Sequence, residues 1–233
     1  MTSPLFQDFN ERSKEVSQYF IFLKNLEQES IKLRMEGRGG NPKIKEIAPD
    51  LLRTLKASGF LLLYNLVEAT MRNAIEAIFD ELKNEGISYD LIRPELKKIV
   101  LKNLRKRKLN DIHLSITAIS IDIITVGFDN QDLFSGNIDA RKIKDTAIEY
   151  GFSYSTDARK TSNGLDLLSV KTNRNDLAHG FKSFTEVGRD KTADELLVIK
   201  SKVIRYLRQI LQNIESYLKN REYLDISTVN KAL

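Results

Sequence analysis

Apolar residues recur at helical steps along most of this chain. Between Leu5 and Arg34, the positions Val16, Tyr19, Phe20, Leu23, Leu26 and Ile31 line one face, and the pattern stops at the linker Gly37-Arg38-Gly39-Gly40-Asn41-Pro42. The longest periodic stretch runs from about Ala48 to Asn84. Leu52, Leu55, Phe60, Leu63, Leu66, Val67, Met71, Ala74, Ile75, Ile78 and Leu82 keep the period, Pro49 suits a first turn, and Gly59 is a candidate bend. A helix over Asp90 to Lys108 turns Leu91, Leu96, Ile99, Val100 and Leu104 inward and a basic stripe outward. The next segment, Asp111 to Val126, fits two templates. Ile112, Ile116, Ile119, Ile123 and Val126 have helical spacing, whereas Ile112, Leu114, Ile116 and Ala118 alternate as in a strand; the helical neighbours favour a helix.

Beyond a turn-rich link at Asn130 to Asn137, Asp139 is placed to cap a short helix that ends at Tyr150-Gly151. Phe152 to Gly164 and Phe181 to Arg189 read as loops on either side of a helix over Leu165 to Ala178. Thr192 to Asn220 closes the chain as a long amphipathic helix, and Tyr206, Tyr217 and Tyr223 are spaced for core or dimer packing. The expectation is an all-α single domain over 1–233, with an N-terminal helix and Gly-rich linker over 1–46 and a core helical bundle over 47–233.

Composition narrows the chemistry. None of the 233 residues is cysteine, which removes thiol nucleophiles, disulfides and thiolate zinc sites. The two histidines, His113 and His179, cannot build a multi-histidine metal centre, so no metal or cofactor is expected. The longest apolar run, Phe60 to Tyr64, is far short of the roughly 20 residues of a membrane span, and the N-terminus does not read as a signal peptide. The expectation is a cytoplasmic protein with no membrane partner. Charge adds a feature that composition alone hides. The net charge is +5, but Arg93, Lys97, Lys98, Lys102, Arg105, Lys106, Arg107 and Lys108 stand against Glu95 alone, a local +7 that leaves −2 for the rest. Such a run attracts phosphates or an acidic partner, or is a solvated helix face. Lys102, Arg105, Lys106, Arg107 and Lys108 are its candidate RNA-binding residues, although no aromatic residues interleave with Arg105 to Lys108.

The Gly-rich linker is not a phosphate loop, since no Lys-Ser/Thr pair opens a helix after it. His113 sits in the apolar-periodic segment beyond the basic run and reads as structural or surface. His179 lies at a predicted helix end in Asn173-Arg174-Asn175-Asp176-Leu177-Ala178-His179-Gly180. Histidine is the usual general acid or base near neutral pH, and an arginine fork neutralises a phosphate. Together they suffice for metal-free cleavage of RNA, whose 2′-hydroxyl supplies the nucleophile. Five residues of helix put Arg174 and His179 about 140° apart, which one straight helix does not aim at one phosphate. Either the helix is irregular there or a second copy completes the site across a two-fold axis. The alternative is structural: His179 caps the helix C-terminus and Arg174 pairs with Asp176 or Glu68.

Arg174-Asn175 followed four residues on by His179 resembles the R-x4-H motif of the HEPN superfamily. The wider stretch from Asp166 through Gly180 and Ser183 to Arg189, with Leu62 to Glu68 and Ser135 to Arg141, resembles the MAE_28990/MAE_18760-like HEPN proteins from about residue 50 onward. The resemblance implies an HEPN-like helical bundle that forms a homodimer with two motifs facing one cleft. It implies a metal-independent endoribonuclease, a toxin or antiviral-defence effector with an antitoxin or defence-system protein as partner. Arg174 would hold the scissile phosphate, His179 would act as general base or acid, and Asn175 would orient His179 or the substrate. It leaves open a non-catalytic RNA- or protein-binding module in a defence or toxin–antitoxin complex. Some HEPN toxins carry a tyrosine two residues after the histidine that becomes modified; Phe181 stands here, with no hydroxyl to accept a nucleotide.

Overall fold

A computed structural model of the chain describes residues 4–36, 42–106, 123–124, 127–128, 133–134, 136–225 and 227. The elements are α1 (Pro4–Glu27), β1 (Leu33–Glu36), β2 (Pro42–Lys45), α2 (Pro49–Asn84), α3 (Pro94–Lys106), α4 (Ala140–Tyr150), α5 (Ala158–Thr161), a 3-10 turn (Ser162–Gly164), α6 (Leu165–Ala178), α7 (Phe184–Arg189) and α8 (Ala193–Lys219). The chain is mostly helical, as the periodicity predicts, and the bounds of α2, α4, α6 and α8 fall where the sequence places them. None of the described helices is long and apolar enough to cross a membrane.

Three expectations need correction. The first helix ends at Glu27, not Arg34; Glu29 takes a left-handed φ of 55°, and the chain then pairs as an antiparallel hairpin with Leu33 opposite Lys45 and Met35 opposite Lys43. Leu33, Arg34, Met35 and Glu36 alternate apolar and polar, a period of two that the helical spacing of Ile31 masks. The stretches read as loops contain short helices. Asp157 caps α5 by accepting the Arg159 N–H at 3.0 Å, and Ser183 and Glu186 cap α7 reciprocally. Gly59 sits inside an uninterrupted α2, where a Cβ would stand 2.9 Å from the Phe20 ring, so it serves the close approach of α1. The ambiguous segment 111–126, apart from Ile123 and Ile124, lies outside the described residues, as does His113.

By its internal contacts the chain divides into two compact units, with boundaries within α1, α2 and α8 and in the link between α4 and α5. One comprises Met1–Phe6, Glu68–Thr156 and Leu207–Leu233. Its core holds Met71, Ile75, Ile78 and Leu82 of α2, Leu96 and Val100 of α3, Ile143 and Ala147 of α4, and Ile210, Ile214 and Tyr217 of α8. The Tyr217 hydroxyl, its pKa raised mainly by burial, donates to the Tyr150 carbonyl at 3.0 Å. Arg93 ties the same unit together through Glu95 (2.8 Å) and the carbonyls of Gly151 (2.9 Å) and Glu222 (3.2 Å).

The other unit comprises Gln7–Val67 and Asp157–Tyr206, and it holds the R-x4-H segment. Phe9, Phe20 and Leu23 of α1, Phe60, Leu63 and Tyr64 of α2, Leu167 and Val170 of α6 and Leu196, Val203 and Tyr206 of α8 are buried in it. Glu27 is its polar knot. Its carboxylate accepts Lys56 Nζ at 2.9 Å and the Ala193 N–H, the first of α8, at 2.5 Å. Lys56 is 9% exposed, so removing Glu27 strands a buried ammonium. We expect Glu27→Ala to cost about 3 kcal/mol, near the lower end for breaking a buried pair because Glu27 is itself partly exposed. Chemical denaturation measures this, and adding Lys56→Met should recover most of the loss. An unchanged midpoint for Glu27→Ala would show that Lys56 finds solvent without it.

Candidate functional site

The site segment is built by α6 and the turn that ends it. Leu167, Val170 and Leu177 bury one side of α6, while Leu165 and Leu168 on the opposite side are 71% and 52% exposed. Arg174 belongs to the inner side and is half-buried. Its guanidinium lies over the Tyr64 ring of α2, 4.5 Å from the ring centre, and its Nη1 donates to Asn175 Oδ1 at 2.9 Å. A cation over an aromatic face is held by the ring quadrupole, and a planar guanidinium fork matches the geometry of phosphate oxygens.

Helix α6 ends in a Schellman turn. The Gly180 N–H reaches the Leu177 carbonyl at 3.3 Å and the Phe181 N–H the Asp176 carbonyl at 2.8 Å, with Gly180 at φ 70°. Only glycine takes that φ without strain, which is why the chain turns off at Gly180, directly after the C-cap residue His179. Because backbone N–H groups take these carbonyls, the His179 imidazole is not needed as their cap, contrary to the structural alternative. The His179 backbone keeps a helical conformation (φ −94°, ψ −1°) and donates to the Asn175 carbonyl at 3.0 Å, while the side chain is exposed. The Phe181 ring, 77% exposed, lies 5.7 Å from the imidazole at a 36° tilt.

The two acids proposed as partners of Arg174 have partners of their own. Asp176 Oδ2 meets Lys182 Nζ at 2.8 Å and raises the lysine pKa, first by the hydrogen bond and then by charge. Glu68 meets Arg72 at 3.1 Å. Just past the turn, Glu186 accepts the Ser183 N–H and hydroxyl at 2.7 Å each, which lowers its pKa and anchors α7.

The helix is therefore regular through His179, and the arginine and histidine stay on different faces. Asn175 is bound to the arginine through its side chain and to the histidine through its backbone. Sequence reasoning missed Tyr64 as a site residue, although it stands within the Leu62 to Glu68 segment already singled out. Only its place one turn of α2 after the close-packed Phe60 hinted at burial.

The basic run belongs to the other unit, and several of its charges are engaged internally. Besides Arg93, Lys97 Nζ donates to the Asp90 carbonyl at 2.7 Å and Lys102 pairs with Glu149 at 3.1 Å. Lys98 and Arg105 are exposed, Lys106 ends α3, and Arg107 and Lys108 lie outside the described residues. Among the described residues no group of three or more His, Asp and Glu side chains could hold a metal ion.

The family model described as HEPN_MAE_28990:/-like HEPN matches residues 1–223, and so takes in α1 and the hairpin as well as the bundle. No curated protein matches the chain, and no solved structure does.

Proposed function

The chain belongs to the HEPN_MAE_28990/-like HEPN family, and from that premise we propose that it is a metal-independent endoribonuclease. One observation carries the reading most strongly. Arg174 is held by Tyr64 and Asn175 with a fork suited to phosphate, while His179 presents an imidazole to solvent from a turn that does not need it. His179 takes the proton of a ribose 2′-hydroxyl. The 2′-oxygen bonds to phosphorus, the bond from phosphorus to the 5′-oxygen breaks, and Arg174 neutralises the charge gathering on the phosphoryl oxygens. The 5′-oxygen leaves with a proton taken from solvent water. The products are a 2′,3′-cyclic phosphate and a 5′-hydroxyl.

A homodimer supplies the missing geometry. The outer face of α6 combines exposed Leu165 and Leu168 with His179, and Phe181 adjoins it, a mixed apolar patch suited to a second copy. Pairing there would set each His179 against the α6 helix of the other copy, the helix that carries its Arg174. A toxin or defence effector fits such an enzyme, and Phe181 argues against neutralisation by nucleotide transfer at its position.

The test is a digest of total RNA in excess EDTA with analysis of product ends. Cleavage to 2′,3′-cyclic phosphate and 5′-hydroxyl ends is expected. A requirement for metal, or products with 3′-hydroxyl and 5′-phosphate ends, would overturn the mechanism. RNA binding without cleavage would favour the non-catalytic module.

A further inference from the structure

The R-x4-H unit contains a second basic surface, distinct from the Arg93 to Lys108 run and unmarked by any sequence motif. Lys24 of α1, Arg159 and Lys160 of α5, and Lys202 and Arg205 of α8 line one open groove of about 470 Å³, with Leu197, Val198 and Ser201 among its other walls. The five cations are scattered over more than 180 residues of sequence, and only the fold brings them together. Asp194 is the one acid that lines the groove. We infer that this groove binds the phosphate backbone of the RNA that the enzyme cleaves, an inference that rests on the ribonuclease reading above.

The pairing pattern separates the cations into two classes. Lys24 meets Asp194 at 2.8 Å, Lys160 meets Asp157 at 3.4 Å, and Lys202 meets Asp166 at 3.7 Å. Pairs at partly exposed positions are worth little, so a polyanion can recruit these lysines cheaply. Arg159 and Arg205 are exposed and have no carboxylate partner among the described residues. Two unengaged guanidinium forks in one concavity match the geometry of phosphate oxygens.

Shape and extent decide between a small anion and a chain of phosphates. Asp194, where Lys24 is anchored, and Arg205 are eleven residues apart on α8, roughly 16 Å along the helix axis. One phosphate cannot bridge that length, whereas successive phosphates of a strand can. No aromatic side chain lines the groove, so nothing there stacks on a base, and the recognition is of the backbone rather than of sequence. The groove also touches the catalytic helix. Lys202 reaches Asp166 in the first turn of α6, and Arg174 follows eight residues later, roughly 12 Å along the same helix. A strand lying in the groove is thus delivered toward Arg174.

Binding is measured with the full chain carrying His179→Ala, so that RNA survives, against a fluorescein-labelled oligouridylate over a range of salt. Adding Arg159→Gln and Arg205→Gln should lower affinity about tenfold or more and flatten the salt slope by about 1.4, the loss of two single-strand phosphate contacts. Both side chains are exposed, and an unchanged thermal melt shows that folding is intact. Affinity and slope equal to the parent overturn the groove, even if wild type cleaves RNA. A slope that falls in this way while wild type cleaves nothing keeps the groove and sinks the nuclease reading.

Discussion

His179→Ala should lower RNA cleavage by about a thousandfold with no loss of folded protein, the middle of the range for removing a general acid or base. The side chain is exposed, and the α6 terminus is closed by the backbone of Gly180 and Phe181, so the helix end does not depend on the imidazole. Arg174→Ala should cost a similar factor through transition-state charge, and Arg174→Lys should recover little, because an ammonium reproduces neither the fork nor its stacking on Tyr64. The decisive version mixes the two inactive variants. If each site takes Arg174 from one copy and His179 from the other, a mixed dimer contains one intact site. Random exchange of subunits should then restore about a quarter of the wild-type rate. A site contained in one chain restores nothing. That outcome would leave the family membership intact but remove the composite site, and with it the explanation of why a regular helix presents the two residues on different faces.

The same helix shows what could be read from the sequence. The period-3.6 patterns of α2 and α8 are legible because each buries a continuous apolar face, whereas α6, with Leu165 and Leu168 exposed opposite its buried residues, is bounded mainly by its breaker Gly180, and Asp139 and Gly151 mark both ends of α4 by cap chemistry. The R-x4-H residues were legible as chemistry, and their 140° separation followed from helix geometry alone. Tyr64 was not, because a cation–aromatic contact between α2 and α6 joins residues 110 positions apart and leaves no local trace. The phosphate groove was hidden for the same reason, since Lys24, Arg159 and Arg205 form no run. The basic run from Arg93 was conspicuous in sequence, yet Arg93 serves as an internal tie and Lys97 and Lys102 have intramolecular partners. Clustering along the chain measures local charge density, not the number of charges left for a ligand. The short helices α5 and α7 carried legible caps, Asp157 and the Ser183/Glu186 pair, but were too short for a hydrophobic period to register.

One position in α7 should be as sensitive as the catalytic pair, for reasons of space alone. Gly188 is buried where α7 crosses the start of α2, and a Cβ there would lie 1.8 Å from the Arg53 carbonyl oxygen and 2.5 Å from its carbon. Those are backbone atoms of a helix turn, so no rotamer change relieves the overlap; α7 must move. Gly188→Ala should therefore cost about 3 kcal/mol, the upper end of ordinary overpacking, and lower the melting temperature by about 6–12 °C for a chain of this size. Gly59→Ala is the internal control. There the added Cβ meets the tip of the Phe20 ring at 2.9 Å, a side chain that can shift, and alanine's helix propensity offsets part of the strain. The Gly188 change should also reach the site. Helix α7 is tied by Ser183 to the turn that carries His179 and Phe181, so displacing it moves the imidazole. Cleavage by Gly188→Ala should fall at temperatures where circular dichroism still reports a folded protein. A melt within a degree or two of wild type would mean that α7 rides farther from α2 than the Gly188 contact requires, and full activity in a destabilised protein would uncouple α7 from the His179 turn.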